Sequence, residues 1–172
     1  TIFAIIKLLS LRDTKYGHGL FHIWCQKSGQ EAKYKDNFTL ADILETLPVY
    51  TTTGVSEKRA VLQVKMEDKG KLKENFKAEF EKSFNEKVSE FNNYGIYSWK
   101  CFLTNGTKET EAGENWNNGN GGLKVLFYDK EQKPFAFIWM RPSGTEPVFR
   151  VMCDVKGNNP DLEKKLLSWE TE

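Results

Sequence analysis

Cysteine is scarce in this chain of 172 residues. Cys25, Cys101 and Cys153 lie far apart, and no Cys-x-x-Cys pair occurs. That excludes a disulfide framework, and the three read as reduced, buried thiols of a cytoplasmic protein. Charge of one sign is missing as well: 25 basic and 24 acidic residues leave a formal net charge of +1. Nucleic-acid and membrane-surface binders usually carry a basic surplus, so neither kind of partner is expected. No apolar run reaches the roughly 18 residues of a membrane span. The first eleven residues have no basic start and no small-residue cleavage site, so they do not read as a signal peptide. There is no Walker-type glycine loop and no internal repeat.

What is present suffices for one domain with an attachment. The chain is 39% hydrophobic and 13% aromatic, enough to build a core. Residues 1–9, TIFAIIKLL, are apolar nearly all round and read as a helix buried against something large. Residues 12–36 look irregular, like an insertion. Within them a helix would put His18, His22 and Cys25 on one face, a spacing compatible with zinc. Gly17 and Gly19 weaken such a helix, and no fourth ligand is near. The competing reading is a packed amphipathic segment anchored by Phe21, Ile23 and Trp24, and no metal ligand is assigned.

Thr39 reads as the N-cap of a helix over 39–47, with Asp42 three residues on echoing a capping box. Leu40, Ile43, Leu44 and Leu47 form its apolar face, and Pro48 ends it. The polar stretch at 51–56, TTTGVS, reads as an extended linker. The expected organisation is a first part at 1–50, a linker or hinge at 51–58, and a domain at 59–172.

From Arg59 the pattern is α+β. Ala60, Leu62, Val64 and Met66 alternate with more polar neighbours, as in a half-buried strand. Residues 69–92 read as one long helix. Leu72, Phe76, Phe80, Phe84, Val88 and Phe91 make its core stripe, and its lysines and glutamates a solvated face. A strand is expected at 97–103. Residues 105–122, rich in Asn and Gly, read as a long mobile loop. Three more strands follow at 123–128, 135–140 and 148–155, with a hairpin turn at 129–134 and a closing helix at 160–169. The fold class is α+β, an antiparallel sheet with helices on one face.

The densest chemistry lies between the last two strands, in Arg141-Pro142-Ser143-Gly144-Thr145-Glu146-Pro147 followed by Val148-Phe149-Arg150. Arg presents a planar fork that matches phosphate oxygens bidentately. Ser143 and Thr145 add hydroxyl donors. Gly144 lets backbone N–H groups approach an anion, and the two prolines restrict the loop. An ordinary turn is the competing reading, because Pro, Ser, Gly and Thr all favour turns. Alternation puts Arg150, Met152 and Asp154 on one face of the last strand, with Phe149, Val151, Cys153 and Val155 on the other. Arg150 thus points away from the core, as an anion ligand or as a surface arginine. Glu146 would repel an anion and is expected to orient Arg141 or cap the turn.

The literal string Arg-Pro-Ser-Gly-Thr-Glu-Pro resembles the phosphate-binding loop in the last domain of the α-D-phosphohexomutases, the phosphoglucomutase/phosphomannomutase family. Gly122-Leu123-Lys124-Val125 resembles the strand leading towards that loop, and Phe149-Arg150-Val151 the strand leaving it. The clear resemblance runs from about Arg59 to the end. A weaker one covers 1–11 and 39–50, which look like helices near the end of the family's third domain. Three further loops by which members resemble one another do not occur here. They are a Thr-Ala-Ser-His-Asn-Pro-like phosphoserine loop, an Asp-Gly-Asp-Gly-Asp-Arg-like magnesium loop and a Gly-Glu-Glu-Ser-Gly-like sugar loop.

The resemblance therefore implies the C-terminal part of a larger isomerase that interconverts hexose 1- and 6-phosphates by intramolecular phosphotransfer. It implies a TATA-box-binding-protein-like last domain, preceded by a helical remnant of an α/β third domain. Arg141, Ser143, Gly144, Thr145 and Arg150 would hold the substrate phosphate that is not being transferred, and no catalytic residue lies in this chain. Mg2+ would bind outside it, and a glucose 1,6-bisphosphate-type activator is implied. The partners would be a phosphosugar and the remaining domains of the same enzyme. The alternative is a non-catalytic phosphosugar-binding or protein-interaction module.

Overall fold

The structure is a computed structural model that describes residues 2–64 and 68–171. It divides into two compact units, Thr1–Pro48 and Val49–Glu172.

The first unit is helical. It contains α1 (Ile2–Ser10), α2 (Leu20–Lys27), a short 3-10 turn at Glu31–Lys33 and α3 (Leu40–Thr46). Its core is small: Phe21, Cys25, Phe38 and Ile43 are buried, with Leu8, Leu9, Trp24 and Tyr34 packed around them. The stretch read as irregular thus contains a helix. Gly19, its N-cap, does not interrupt it, because the helix starts only after both glycines. Thr39 and Asp42 form the expected capping box, the Asp42 carboxylate accepting from the Thr39 backbone N–H at 2.7 Å. Of the expected apolar face of α3 only Ile43 is buried; Leu40, Leu44 and Leu47 are exposed. The helix α1 buries none of its residues, and Ile2, Phe3 and Ile6 are 74%, 80% and 50% exposed.

The second unit is an α+β fold built on a seven-stranded antiparallel sheet. Its strands are β1 (Tyr50–Thr52), β2 (Val61–Gln63), β3 (Ser98–Asn105), β4 (Lys108–Glu111), β5 (Gly122–Tyr128), β6 (Pro134–Pro142) and β7 (Val148–Lys156). The order is β1-β7-β6-β5-β3-β4, with β2 also paired to β7. The helices α4 (Lys69–Glu86), α5 (Val88–Asn93) and α6 (Pro160–Thr171) cover one face. Cys101, Val125, Ile138 and Cys153 are successive partners across the sheet, all buried against that helical layer. Phe80, Phe84, Phe91, Leu162, Leu166 and Leu167 meet them from the helices. Burial raises the thiol pKa of Cys153 and pushes that of Cys101 up to about 12, so both thiols are unreactive core groups.

Four expectations need correction. The linker at 51–56 is not free chain: Thr51 and Thr52 pair with Val155 and Asp154 of β7. Thr53 is buried, its hydroxyl bonded to Glu163 of α6 and accepting from the Cys153 N–H at 3.1 Å. Polar threonines suit an edge strand as well as a linker, and β-branching favours the strand. Second, the strand expected from Ala60 is short. Ala60 ends a 3-10 turn, Val61–Gln63 form the strand, and Met66 lies outside the described residues.

Third, the long helix is two. The break at Lys87 leaves Val88 39% exposed, while Phe91 still stacks on Phe84 with ring centroids 5.4 Å apart. Fourth, residues 105–122 are not one loop. Strand β4 pairs with β3, and Trp116 is buried at 1% exposure between Phe76, Phe80 and Trp99. The cross-strand register and the tryptophan burial override a composition typical of loops.

Candidate anion-binding site

The seven-residue motif closes the β6–β7 connection. The Ser143 N–H donates to the Val148 carbonyl at 2.9 Å, which continues the antiparallel ladder past Pro142. The Ser143 hydroxyl oxygen accepts weakly from the Thr145 and Glu146 N–H groups, at 3.4 and 3.3 Å. This small Ser-turn shapes the loop and leaves the hydroxyl proton free to donate elsewhere. Thr145 and Gly144 are exposed, and Ser143 is half-buried.

Alternation along β6 and β7 does the rest. Arg141 and Arg150 are direct cross-strand partners, so both side chains leave the sheet on the face away from the helices. Arg150 is no edge residue: Val61 of β2 flanks it on the other side. Glu146 lies 3.6 Å from the Arg150 guanidinium, not beside Arg141, which corrects the expected role for that carboxylate. Both groups of this pair are more than half exposed, so the contact is weak and screened. The Arg141 side chain has no hydrogen-bond or ion-pair partner among the described residues.

Arg141 and Gly144 open onto a cleft of about 170 Å³ also lined by Thr104, Asn105, Gly121 and Trp139. The floor of the cleft depends on Gly122. A Cβ there would sit 2.3 Å from the Thr104 hydroxyl and 2.9 Å from the Trp139 indole nitrogen, which themselves bond at 3.1 Å. Gly144 differs, because a Cβ there would meet nothing within 4 Å. The fold does not require glycine at 144, whereas an anion approaching the backbone would.

Two lysines join the site that sequence reasoning missed. The α4 face read as solvated surface sends Lys69 to the motif, its ammonium donating to the Ser143 carbonyl at 2.6 Å. One turn on, Lys73 is fully buried. Its ammonium donates to the Asn118 side-chain oxygen and to the carbonyls of Gly119 and Gly121, at 2.8 and 3.0 Å for the last two. Among the described residues neither lysine has a carboxylate partner. Burial pushes the Lys73 pKa down to about 8. The first two turns of α4 thus fasten the motif and the 118–121 wall of the cleft, and they add positive charge to both. The only sequence signal was an i, i+4 lysine pair at the start of a helix, which ordinary surfaces also show.

The second sequence candidate divides. Cys25 is fully buried in the core of the first unit and is not in the group that brings the two histidines together. His18 and His22 instead converge on Asp13.

No helix among the described residues is long and apolar enough to cross a membrane. Compared with protein-family models, curated proteins and solved structures, the chain matches none.

Proposed function

We propose that this chain is the phosphate-clamping C-terminal part of a phosphohexomutase of the phosphoglucomutase/phosphomannomutase type. The observation that supports it most is the Arg141–Arg150 cross-strand pair. Like charges directly opposite each other destabilise a sheet, and no carboxylate neutralises Arg141 among the described residues. A phosphate between them would turn that repulsion into charge-assisted hydrogen bonds.

On this reading the loop breaks no bond. Arg141 and Arg150 take phosphate oxygens, the Ser143 and Thr145 hydroxyls donate, and Gly144 leaves room. Holding one phosphate of a hexose phosphate places the far end of the sugar where transfer occurs, which is catalysis by positioning. On this reading magnesium binds outside residues 1–172, and a glucose 1,6-bisphosphate-type activator is implied. Residues 59–172 correspond to a TATA-box-binding-protein-like last domain, the helical first unit to the end of the third, and the location is cytoplasmic. A second reading, a protein-interaction module, draws on the exposed Ile2, Phe3 and Ile6 of α1.

The test is a titration of the chain with glucose 1-phosphate and with inorganic phosphate, read by amide chemical shifts. Saturable shifts at 141–150, lost in Arg141→Ala, are expected. No shift in the wild type, or an equal one in Arg141→Ala, removes the assignment and leaves the interaction module.

A further inference from the structure

We infer that Asp13, His18 and His22 form a binding site for a zinc-class divalent cation, independent of the phosphate loop. The chain builds this constellation locally. A tight turn bridges Thr14 and Gly17 and brings His18 back beside Asp13. One Asp13 oxygen accepts from the Gly19 backbone N–H at 2.7 Å, which pins the carboxylate. Glycine is needed there, because a Cβ would lie 2.2 Å from the Leu11 carbonyl oxygen.

The other oxygen, Oδ2, is left for the imidazoles. It lies 3.1 Å from His18 Nδ1 and 2.6 Å from His22 Nδ1. One potential ligand atom from each of the three residues lies within 4.8 Å of the other two. The carboxyl stays ionised. Desolvation opposes this, but the bonds from Gly19, His22 and His18 outweigh it and hold its pKa well below the usual range.

The donor set selects the ion. Two imidazole nitrogens and one carboxylate oxygen suit zinc and its neighbours, whereas calcium and magnesium take all-oxygen sets. Bonds of about 2.0–2.2 Å in a tetrahedron place neighbouring donors roughly 3.3 Å apart. The His18–Asp13 separation matches, and the His22–Asp13 pair must open by less than about 1 Å. Three protein ligands leave a fourth position for water. The outer shell is partly in place: the Tyr34 ring stacks on His22 at 4.0 Å, and the Gln26 amide lies 3.4 Å from His22 Nε2. A metal on the two Nδ1 atoms requires each ring proton to sit on Nε2, and the Gln26 amide must then turn its oxygen towards His22 Nε2 to accept from it. Cys25 takes no part.

The experiment is calorimetric titration of the whole chain with zinc chloride at pH 7.5, repeated with cobalt(II) to read its visible absorption. One ion per chain and a four-coordinate cobalt spectrum are expected. Asp13→Asn, which keeps an acceptor for Gly19, should weaken binding by at least about tenfold, as should His18→Gln at its half-exposed position. Cys25→Ser should change nothing. Absent binding, or binding unchanged in the Asp13→Asn/His18→Gln double variant, overturns the site and leaves Asp13 as a hydrogen-bond hub. The result is separate from the phosphate titration, because no residue is shared.

Discussion

Arg141 and Arg150 face each other across the β6–β7 ladder, two guanidiniums on the open side of the sheet with one exposed carboxylate between them and neutrality. Without an anion this arrangement costs stability. Arg141→Gln is therefore expected to raise the stability of the free chain by a few tenths of a kcal/mol, on the order of a cross-strand charge pair. The same variant should lose the stabilisation that added phosphate gives the wild type. Urea unfolding with and without phosphate measures both, and a variant still stabilised by phosphate would count against the clamp.

Gly122 and Gly144 separate the demands of fold and ligand. Gly122→Ala drives a methyl into Thr104 and Trp139 and should cost about 1–3 kcal/mol. Gly144→Ala meets open space and should leave the melting temperature unchanged while weakening phosphate binding. Thermal melts and phosphate titrations on the two variants give opposite patterns if this is right.

Lys73 makes stability depend on pH in a particular sense. Its pKa in the folded chain is about 8 against an ordinary 10.5. Between these values the unfolded chain binds more protons, so this residue contributes a gain in stability as pH rises from about 8. Cys101 and Cys153, whose pKa values burial raises, act in the opposite direction. The difference between wild type and Lys73→Met isolates the lysine. The stability of the wild type relative to Lys73→Met should rise from pH 7.5 to 9.5 in urea unfolding. Lys73→Met should also loosen the 118–121 wall, whose two carbonyls lose their donor, with faster amide exchange there.

Arg59 holds the segment between β1 and β2 to α6. Its guanidinium bonds the buried Glu163 carboxylate at 2.9 Å through two nitrogens, and the Thr53 hydroxyl meets the same carboxylate. Arg59→Ala strands that charge with a single donor. A loss of about 2–4 kcal/mol is expected, somewhat below the roughly 3–5 kcal/mol of a fully buried pair because the arginine is 39% exposed. Arg59→Ala in a Glu163→Gln background should cost much less, and chemical denaturation of the cycle measures the difference.

Local periodicity made most of the sheet and its helices legible. The strands at 123–128, 135–140 and 148–155 alternate cleanly, and the aromatic stripe through Phe76, Phe80 and Phe84 marks the inward side of α4. The same alternation correctly turned Arg150 outward and Cys153 inward. The motif was legible separately, from its residue types, because its donors lie close together in the chain. Long-range partners were beyond the reach of both. Lys69 and Ser143 are 74 residues apart, and Lys73 and Gly121 are 48 apart, so no local pattern distinguishes these lysines from solvated ones. Asp13 was passed over because its histidines lie five and nine residues away, outside any single helical or strand period. The threonines at 51–53 and the segment around Trp116 became strand and core only through pairing with β7 and β3 and packing against α4. Sequence alone determined which faces are apolar and where the donors lie. Tertiary structure decided which charges are buried and which chain segments they fasten, because burial and hydrogen-bond partners depend on groups brought close only by the folded sheet.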